Sequence, residues 1–475
     1  MTKNDKEKKH VVVVVLGDLG RSPRMNYHAL SLLELGHQVS LIGYDGEDVI
    51  PELRKYNETS LQQIRFTPYS PSPVLRKILP IYYILRLLGL IFGLVMALKR
   101  IDGDPDCILV QNPPSTPLMP IAHLYCLVKQ MTSGKRPGFI IDWHNLGFSM
   151  FGGGPNSIIK NIAYRIEMHM SSKASGHLCV TTAMKELLIK NFSLDAEKVS
   201  VLYDRPQEAF RPTDVEDMHD LMLRLKSDLE KQVPRLSIES DNETIMTKEI
   251  TISGEKKIIA RDDKDRPVLL VSSTSWTPDE DFSILLQALI EVDRRIIQRE
   301  DFYPNILVIV TGKGPQKKMY QDLIAKLPLK HVFIATLWLE IADYPKLLGC
   351  ADVGVSLHTS TSGLDLPMKV LDMFGCEVPV CAVNFDCLDE LVKDGDNGMI
   401  FSTPTELSNQ LFGLLKAPRD PRQKVSGDLA KFRTSLQGMT RWRQNWKDQA
   451  LDLIMKCCSR QESDSSQTFK QMKQD

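Results

Sequence analysis

The sequence predicts an α/β protein built from two parallel-sheet halves, and three observations predict it. Its apolar runs are continuous rather than alternating, as in His10–Leu16 (HVVVVVL), which suits strands buried on both faces of a parallel sheet. Each run ends in a small-residue or polar loop and then an amphipathic helical stretch, the βαβ rhythm of an open sheet that binds ligands at the carboxyl ends of its strands. The rhythm stops in a charged stretch, Thr213 to about Arg266, and restarts at Pro267. With 475 residues, 43% apolar and 25% charged, the composition is that of a globular protein of two large domains. A formal net charge of −1 gives no bulk attraction to nucleic acid, and no nucleic-acid partner is expected. Nine scattered cysteines, with no CxxC pair and no His–Cys ligand spacing, read as buried thiols in a reducing compartment, so no metal site is expected.

In the first half, His10–Leu16 opens into Gly17-Asp18-Leu19-Gly20-Arg21-Ser22-Pro23-Arg24. A helix from Met25 to Leu35, stopped by Gly36, and a strand from Val39 to Tyr44 follow. The glycines do not keep dinucleotide-fingerprint spacing. Arg21 and Arg24 beside a glycine turn suit the diphosphate of a substrate; the alternative is a plain βα turn with surface arginines. The segment Ile78–Leu98 is as long as a membrane-spanning helix, yet it carries Pro80 and Arg86 and is flanked by Arg76, Lys77, Lys99 and Arg100. It admits three readings: a spanning helix, a helix lying in the interface against anionic headgroups, or a core helix. The polar, basic opening MTKNDKEKKH does not read as a signal peptide. Asp102-Gly103-Asp104-Pro105-Asp106 imitates an acidic metal-binding triplet but precedes its strand, so it reads as a turn.

Two further strands, Cys107–Val110 and Phe139–Ile141, deliver Gln111-Asn112-Pro113-Pro114 and Asp142-Trp143-His144-Asn145 to the same sheet edge as the glycine loop. His144 is the general-base candidate, because an imidazole titrates near neutrality; the alternative is a structural histidine. Asp142 either orients it or caps a helix. Gly152-Gly153-Gly154-Pro155 could form a lid. Leu178–Val180, a helix capped by Thr181-Thr182, and Val199–Leu202 complete this half. Asp214–Lys231 reads as a helix within an otherwise polar insertion or linker.

The second half begins with the strand Pro267–Val271, which ends in Ser272-Ser273-Thr274-Ser275-Trp276, and the helix Phe282–Ile297. Asn305–Val310 ends in the glycine turn Thr311-Gly312-Lys313-Gly314-Pro315, before a helix Gln316–Leu327 and a strand Val332–Thr336. The strand Ala351–Leu357 then feeds the small-residue loop Thr359–Gly363, which opens a helix near Leu366-Pro367, with Asp365 as its start signal. Asp365, Lys369 and Asp372 share one helical face, and Met368, Leu371 and Phe374 form the apolar one. A small-residue loop leading into a helix N-terminus suits a phosphate, Lys369 adds charge, and Asp372 could accept from a sugar hydroxyl. A capped helix with a solvated polar face is the alternative. A strand Val378–Val383 and the turn Gly395-Asp396-Asn397-Gly398 follow, and the tail after Arg460 is polar. The expected boundaries are residues 10–212, a charged insertion 213–265, a second domain 266–455 and a tail 456–475.

The motifs HVVVVVLGDLGRSPRMNYHALSL, LVQNPP, IDWHN, LCVT, LLVSSTSWTPDEDFSILL, VTGKGP and DYPKLLGCADVGVSLHTSTSGLDLPMKVLDMFGCEVPVCAVNF together resemble the chitobiosyldiphosphodolichol β-mannosyltransferase family. The resemblance spans roughly residues 10 to 455 apart from the charged insertion. It implies a GT-B fold, two Rossmann-like domains facing each other across a cleft, with the acceptor in the first and GDP-mannose in the second. It implies inverting transfer of the first mannose, in β-1,4 linkage, onto dolichol-diphosphate-linked chitobiose at the cytosolic face of the endoplasmic reticulum membrane. It leaves room for a complex with other oligosaccharide-assembly mannosyltransferases. No cofactor is implied beyond the GDP-mannose donor, and divalent-metal stimulation stays open. Carried over by motif, Gly312, Lys313, Gly314, Ser362, Gly363, Asp365, Lys369 and Asp372 fall in the donor half. Gly17, Asp18, Gly20, Arg21, Arg24, Asp142, His144 and Asn145 fall in the acceptor half. The sequence departs from the wider pattern of two glutamates eight residues apart: Asp372 takes the second position and Leu364 the first. No Arg or Lys follows the Pro267–Val271 strand, so Lys369 or Lys313 is expected to serve the diphosphate. The hydrophobic N-terminal anchor of many relatives is missing, which makes Ile78–Leu98 the expected membrane contact. Rival readings are a glycosyltransferase of different sugar or acceptor, and a silent scaffold that binds GDP without turnover.

Overall fold

The computed structural model describes residues 7–150, 157–240, 242–262, 266–298, 303–360, 362–415 and 427–459. The chain divides into two compact units: Met1–Asp204 together with Trp442–Asp475, and Arg205–Arg441. The first unit's strands are β1 (His10–Asp18), β2 (Gln38–Tyr44), β3 (Leu61–Phe66), β4 (Cys107–Asn112), β5 (Gly138–Trp143), β6 (Gly176–Cys179) and β7 (Val199–Val201). They form one parallel sheet in the order β3-β2-β1-β4-β5-β6-β7. Val11 pairs with Val39 on one side and Cys107 on the other, so Val11–Val14 have no exposure, as the unbroken valine run requires. The helices α1 (Pro23–Glu34), α2 (Leu79–Lys99), α3 (Leu118–Ser133), α4 (Ile158–Ser171) and α5 (Thr182–Phe192) connect these strands. Asp106, in the acidic turn, accepts from the His10 amide and from Lys135, which fixes the start of β1. The proposed glycine lid, 152–155, lies outside the described residues, as does the tail from Arg460.

The second unit begins with α6 (Val215–Gln232) and an antiparallel hairpin, β8 (Thr247–Ile252) and β9 (Glu255–Ala260). The segment 213–265 is therefore not a linker. Leu221, Met222, Leu225 and Leu229 of α6 enter the unit's core as an apolar stripe at helical spacing, masked in the sequence by the charges around it. The strands β10 (Val268–Ser273), β11 (Ile306–Thr311), β12 (Val332–Leu337), β13 (Val353–Ser356), β14 (Val380–Val383) and β15 (Gly398–Phe401) form a second parallel sheet, β12-β11-β10-β13-β14-β15. With them run α7 (Phe282–Ile297), α8 (Lys317–Ile324), α9 (Asp343–Gly349), α10 (Met368–Gly375), α11 (Pro404–Leu414) and α12 (Gly427–Gln437). Alternate residues serve opposite faces: Leu269, Val271, Leu307 and Ile309 pack in the core that holds α6 and α10, and Leu270, Val308 and Val310 in the one that holds α7 and α11.

The last helices, α13 (Trp442–Gln449) and α14 (Leu451–Ser459), belong to the first unit and not, as expected, to the second. Trp442, Trp446, Ile454 and Cys457 are buried in the core beside Val11, Val13 and Ile140. Nothing in the local pattern says which sheet these helices cover. None of the nine cysteines forms a disulfide, and only Cys387 is partly exposed. Helix α2 is not a core helix. Leu79, Ile81, Tyr83, Ile84, Leu87, Leu88, Phe92 and Met96 are exposed, while Leu94, Ala97 and Leu98 are buried. Gly89 and Gly93 bring its other face onto Tyr69 and Phe66. Removing buried side-chain volume from α14 should act on the first unit: Ile454→Ala is expected to cost about 2–5 kcal/mol. Hydrogen exchange should then quicken in β4 and β5 and stay unchanged in β10 and β11.

Candidate functional site

In each unit the strand order reverses once, between β1 and β4 and between β10 and β13, and ligands of doubly wound sheets bind outside the strand ends at such points. In the second unit the loop after β10 is tied down by Glu280, which the sequence reading missed. One carboxylate oxygen accepts from Thr274 Oγ1 (2.9 Å), the Ser275 amide (2.6 Å) and Ser275 Oγ (2.8 Å). The other accepts from Lys369 Nζ and lies 3.5 Å from His358 Nδ1. Burial works to raise this carboxyl, but His358, Lys369 and the Ser275 amide outweigh it and hold it well below the usual range. Lys369 thus carries a buried counter-ion rather than an empty ammonium, and among the described residues Glu280 is its one hydrogen-bond partner, which leaves N–H groups for a ligand.

The glycine turn after β11 lies against this loop. A Cβ on Gly312 would fall 1.8 Å from the Thr274 carbonyl and one on Gly314 1.8 Å from that of Ser275, and Gly312 has φ of +129°. Both glycines are demanded by close backbone approach. Lys313, expected at the phosphates, has its ammonium 3.6 Å over the Trp338 ring. After β13, Asp365 does not cap α10. Its Oδ1 accepts from Ser360 and Ser362, and Ser360 Oγ accepts from the Gly363 amide, with Gly363 at φ of +69°. The side chain closes a serine turn, while Pro367 takes the N-cap of α10 without a side-chain bond. On α10, Leu371 and Phe374 are buried as expected, but Met368 is exposed. Asp372 is partly buried, its carboxyl has no hydrogen-bond partner among the described residues, and burial pushes it up to about 7. Nearby, Ser273 Oγ bonds Tyr344 Oη (3.0 Å) and accepts from Thr311 Oγ1 (3.0 Å).

In the first unit, Asp18 Oδ1 accepts from the Gly20 and Glu47 amides (2.9 and 3.1 Å), and Arg21 pairs with Glu47. Arg21 is exposed, but Arg24 is not available to a diphosphate. Its Nε and Nη2 bind Asp142 (2.8 Å each), and its Nη1 binds Asp204 (2.9 Å) and the Leu202 carbonyl (2.8 Å). The reason is Asp142, which has no exposure at the end of β5 and needs a counter-charge. Burial works to raise Asp142, but Arg24 and His144 hold it well below the usual range. His144 lies beside it, 23% exposed, with Nε2 2.8 Å from Asp142 Oδ2. A carboxylate only accepts, so the ring carries its proton on Nε2 and keeps Nδ1 as the basic nitrogen. His28, also missed, reaches the same Oδ2 at 3.1 Å.

The loop that carries His144 is held by Asn112. Its carbonyl accepts from the His144 amide (2.8 Å) and its Nδ2 donates to the Asn145 carbonyl (3.1 Å) and to Glu167 Oε1 (3.3 Å). Asn145 therefore shapes the loop. Glu167 also accepts from the Gly147 amide (2.7 Å), and burial raises its carboxyl. Nothing in the spacing pointed to it. Among the described residues no group of three or more His, Cys, Asp and Glu side chains is arranged to hold a metal ion.

Two doubly wound parallel sheets, each with polar side chains at its reversal point, define a GT-B glycosyltransferase. Family models agree: "Glycosyltransferase Family 4" matches residues 25–204 and "Glycosyl transferases group 1" residues 255–426. The fold is shared with Anabaena HepE, solved in complex with UDP and glucose, at a TM-score of 0.55 and 14% identity over 93% of this chain and 98% of that one. The chitobiosyldiphosphodolichol beta-mannosyltransferase of Mus musculus is 39% identical over 94% of this chain and 89% of its own. "UDP-glycosyltransferase TURAN" of Arabidopsis thaliana is 42% identical over 94% of this chain and 97% of its own. The chain belongs to the chitobiosyldiphosphodolichol beta-mannosyltransferase family and is a glycosyltransferase.

Asp372 offers a direct check on the second unit. Its folded pKa of about 7 lies above the ordinary 3.8, so the native state binds the proton more tightly and stability falls as pH rises between those values. Asp372→Asn should raise the melting temperature at about pH 8 and leave it unchanged near pH 4. An identical gain at both would place the carboxyl in a solvated site.

Proposed function

We propose that this protein transfers the first mannose from GDP-mannose onto the terminal GlcNAc of chitobiosyl-diphosphodolichol, in β-1,4 linkage and with inversion. The observation that carries the mechanism is the His144–Asp142 pair at the end of β5, an imidazole whose basic nitrogen is set by a buried carboxylate. His144 Nδ1 takes the proton from the acceptor hydroxyl as its oxygen attacks the anomeric carbon. The bond from that carbon to the β-phosphate breaks, and GDP leaves with the electron pair. The transition state has oxocarbenium character, so both the proton transfer and stabilisation of the departing diphosphate lower its energy. In the second unit the uncapped start of α10, the free N–H groups of Lys369 and the Gly312–Gly314 turn would receive the GDP diphosphate, and Asp372 a donor hydroxyl. Gly17, Asp18, Gly20 and Arg21 border the acceptor, with Arg21 the remaining candidate for the lipid diphosphate.

The lipid acceptor calls for a bilayer, and α2 suits one. Its apolar face is exposed, α3 packs beside it and α4 beside α3, and these add exposed Leu124, Val128, Ile158, Ile159 and Ile162. Exposed Arg76, Lys77, Lys99 and Arg100 flank α2 and suit anionic headgroups. Because α2 is seated along Gly89–Leu98 on its own domain, it is read as lying in the interface of the endoplasmic reticulum membrane, on the cytosolic side. The Arabidopsis relative, a UDP-glycosyltransferase by name, favours a UDP-sugar donor as the second reading.

Radiolabelled transfer to phytanyl-linked chitobiose from GDP-mannose, UDP-glucose and UDP-GlcNAc separates the two, and turnover only with a UDP-sugar would overturn the first. His144→Ala should lower the rate about 10²–10⁴-fold while GDP affinity holds. Loss of GDP binding would show that the residue has another role. Phe92→Glu combined with Leu88→Glu should abolish co-flotation with vesicles containing phosphatidylinositol without changing the melting temperature.

A further inference from the structure

Behind Asp142 a chain of ring nitrogens runs to the far end of the sequence. His28, on α1 with no exposure, has Nε2 3.1 Å from Asp142 Oδ2 and Nδ1 2.9 Å from Trp446 Nε1 on α13. An indole N–H can only donate, so His28 Nδ1 accepts and its proton sits on Nε2, aimed at the carboxylate. The same Oδ2 receives the His144 Nε2–H at 2.8 Å, and Arg24 holds both carboxylate oxygens. Two imidazoles thus share one acceptor atom, and the state of the buried ring bears on the exposed one. The charged and titratable groups around this carboxylate are Arg24 and His28 from α1, His144 from the loop after β5, and Asp204 after β7, which pairs with Arg24.

We infer that Trp446, acting through His28, is a positioning residue for His144: its indole N–H fixes the His28 tautomer and so keeps Asp142 presented to the base. This rests on the reading of His144 as the general base. Without the indole donor, His28 Nδ1 is free to carry a proton. As the Nδ1–H tautomer the ring would turn a lone pair on the carboxylate; as the imidazolium it would add a positive charge that competes with His144 for Oδ2 and makes that ring a poorer base. Burial already pulls His28 toward its neutral form, against the pull of Asp142. Helix α13 does not need the indole hydrogen bond to stay docked. Trp442 Nε1 donates to Ser31 Oγ (3.1 Å) and Asn445 Nδ2 to the Tyr203 carbonyl (2.8 Å), so Trp446→Phe can keep the helix docked while removing the donor together with part of the ring volume, which the melting temperature reports.

The test uses the full chain with Trp446→Phe, His28→Gln, His28→Leu and His144→Gln. The readouts are kcat and KM with the donor that supports turnover and phytanyl-linked chitobiose, the pH profile, melting temperature, and nitrogen-15 correlations of the histidine rings. Trp446→Phe should lower kcat about tenfold with KM changed by less than about twofold, and should move the His28 ring nitrogens away from the Nε2–H pattern. His28→Gln, which keeps one donor and one acceptor, should retain more activity than His28→Leu. The inference is overturned if Trp446→Phe leaves kcat and the His28 nitrogens unchanged while His144→Gln is inactive. It is equally overturned if kcat, KM and melting temperature fall together with the nitrogens unmoved, the mark of lost packing alone. If His144→Gln keeps its activity, the general-base reading fails first, and the ring nitrogens still decide whether Trp446 sets the tautomer.

Discussion

The first unit is organised by a negative charge that water cannot reach. Asp142 ends β5 with no exposure, and an ionised carboxylate there is tolerated only if fully hydrogen-bonded and neutralised. Arg24 meets that demand from α1 with a two-pronged contact, and Asp204 and the Leu202 carbonyl balance the remaining edge of the guanidinium. Removing one partner of such a pair costs about 3–5 kcal/mol, because the other is left buried and uncompensated. The position of α1, the end of β7 and the docking of α13 all follow from keeping that carboxylate ionised. The imidazole at its open side inherits a fixed orientation from it.

The second unit uses the same device with different residues. Glu280, 3% exposed, binds a cation, Lys369, and faces an imidazole, His358, while its second oxygen pins the loop after β10. In both units a buried carboxylate near a strand's carboxyl end joins a cation from a helix to an imidazole from a loop. In both, the glycine turn of the adjoining loop is shaped by close approach: Gly20 against the Asp48 carbonyl, Gly312 and Gly314 against those of Thr274 and Ser275. What differs is exposure. Arg24 is sealed in, whereas Lys369 is 29% exposed and keeps donors to spare.

Local pattern carried the sheets, because a parallel strand buried on both faces writes itself as an unbroken apolar run and its loop as small or polar residues. It also placed His144 beside Asp142, since only Trp143 separates them and both sit at a strand end. It could not see Arg24 as buried, because the partner that buries it lies 118 residues away. Glu280 was hidden for the same reason, 89 residues from Lys369. It stands in a run of exposed-looking acids, and only the fold turns it inward. Strand β3 went unread because Leu61 and Ile64 alone are buried in it, too few to set a period. The two last helices went unread, and an apolar stripe carries no address, so their return to the first sheet was invisible.

On the proposed donor reading, the pairing of Lys369 with Glu280 changes what the second unit must supply. An ammonium already neutralised by a carboxylate brings little net charge to a diphosphate, and Lys313 is spent on the Trp338 ring face. The lysines expected to act as phosphate clamps therefore contribute direction more than charge. The other donors after β11 and β13 include Lys317, whose ammonium lies 3.2 Å from the Gly312 carbonyl, and backbone N–H groups at the glycine turn and at the start of α10, where Pro367 leaves the first turn uncapped. Such groups lose nothing to reorganisation when negative charge develops, because the fold has already aligned them. Gly312, Gly314 and Gly363 occupy constrained backbone positions, and the buried carboxylate of Glu280 holds the loop after β10 still, as such a role would require. In this protein the rigidity of the loops, rather than a surplus of cations, is what a departing diphosphate would meet.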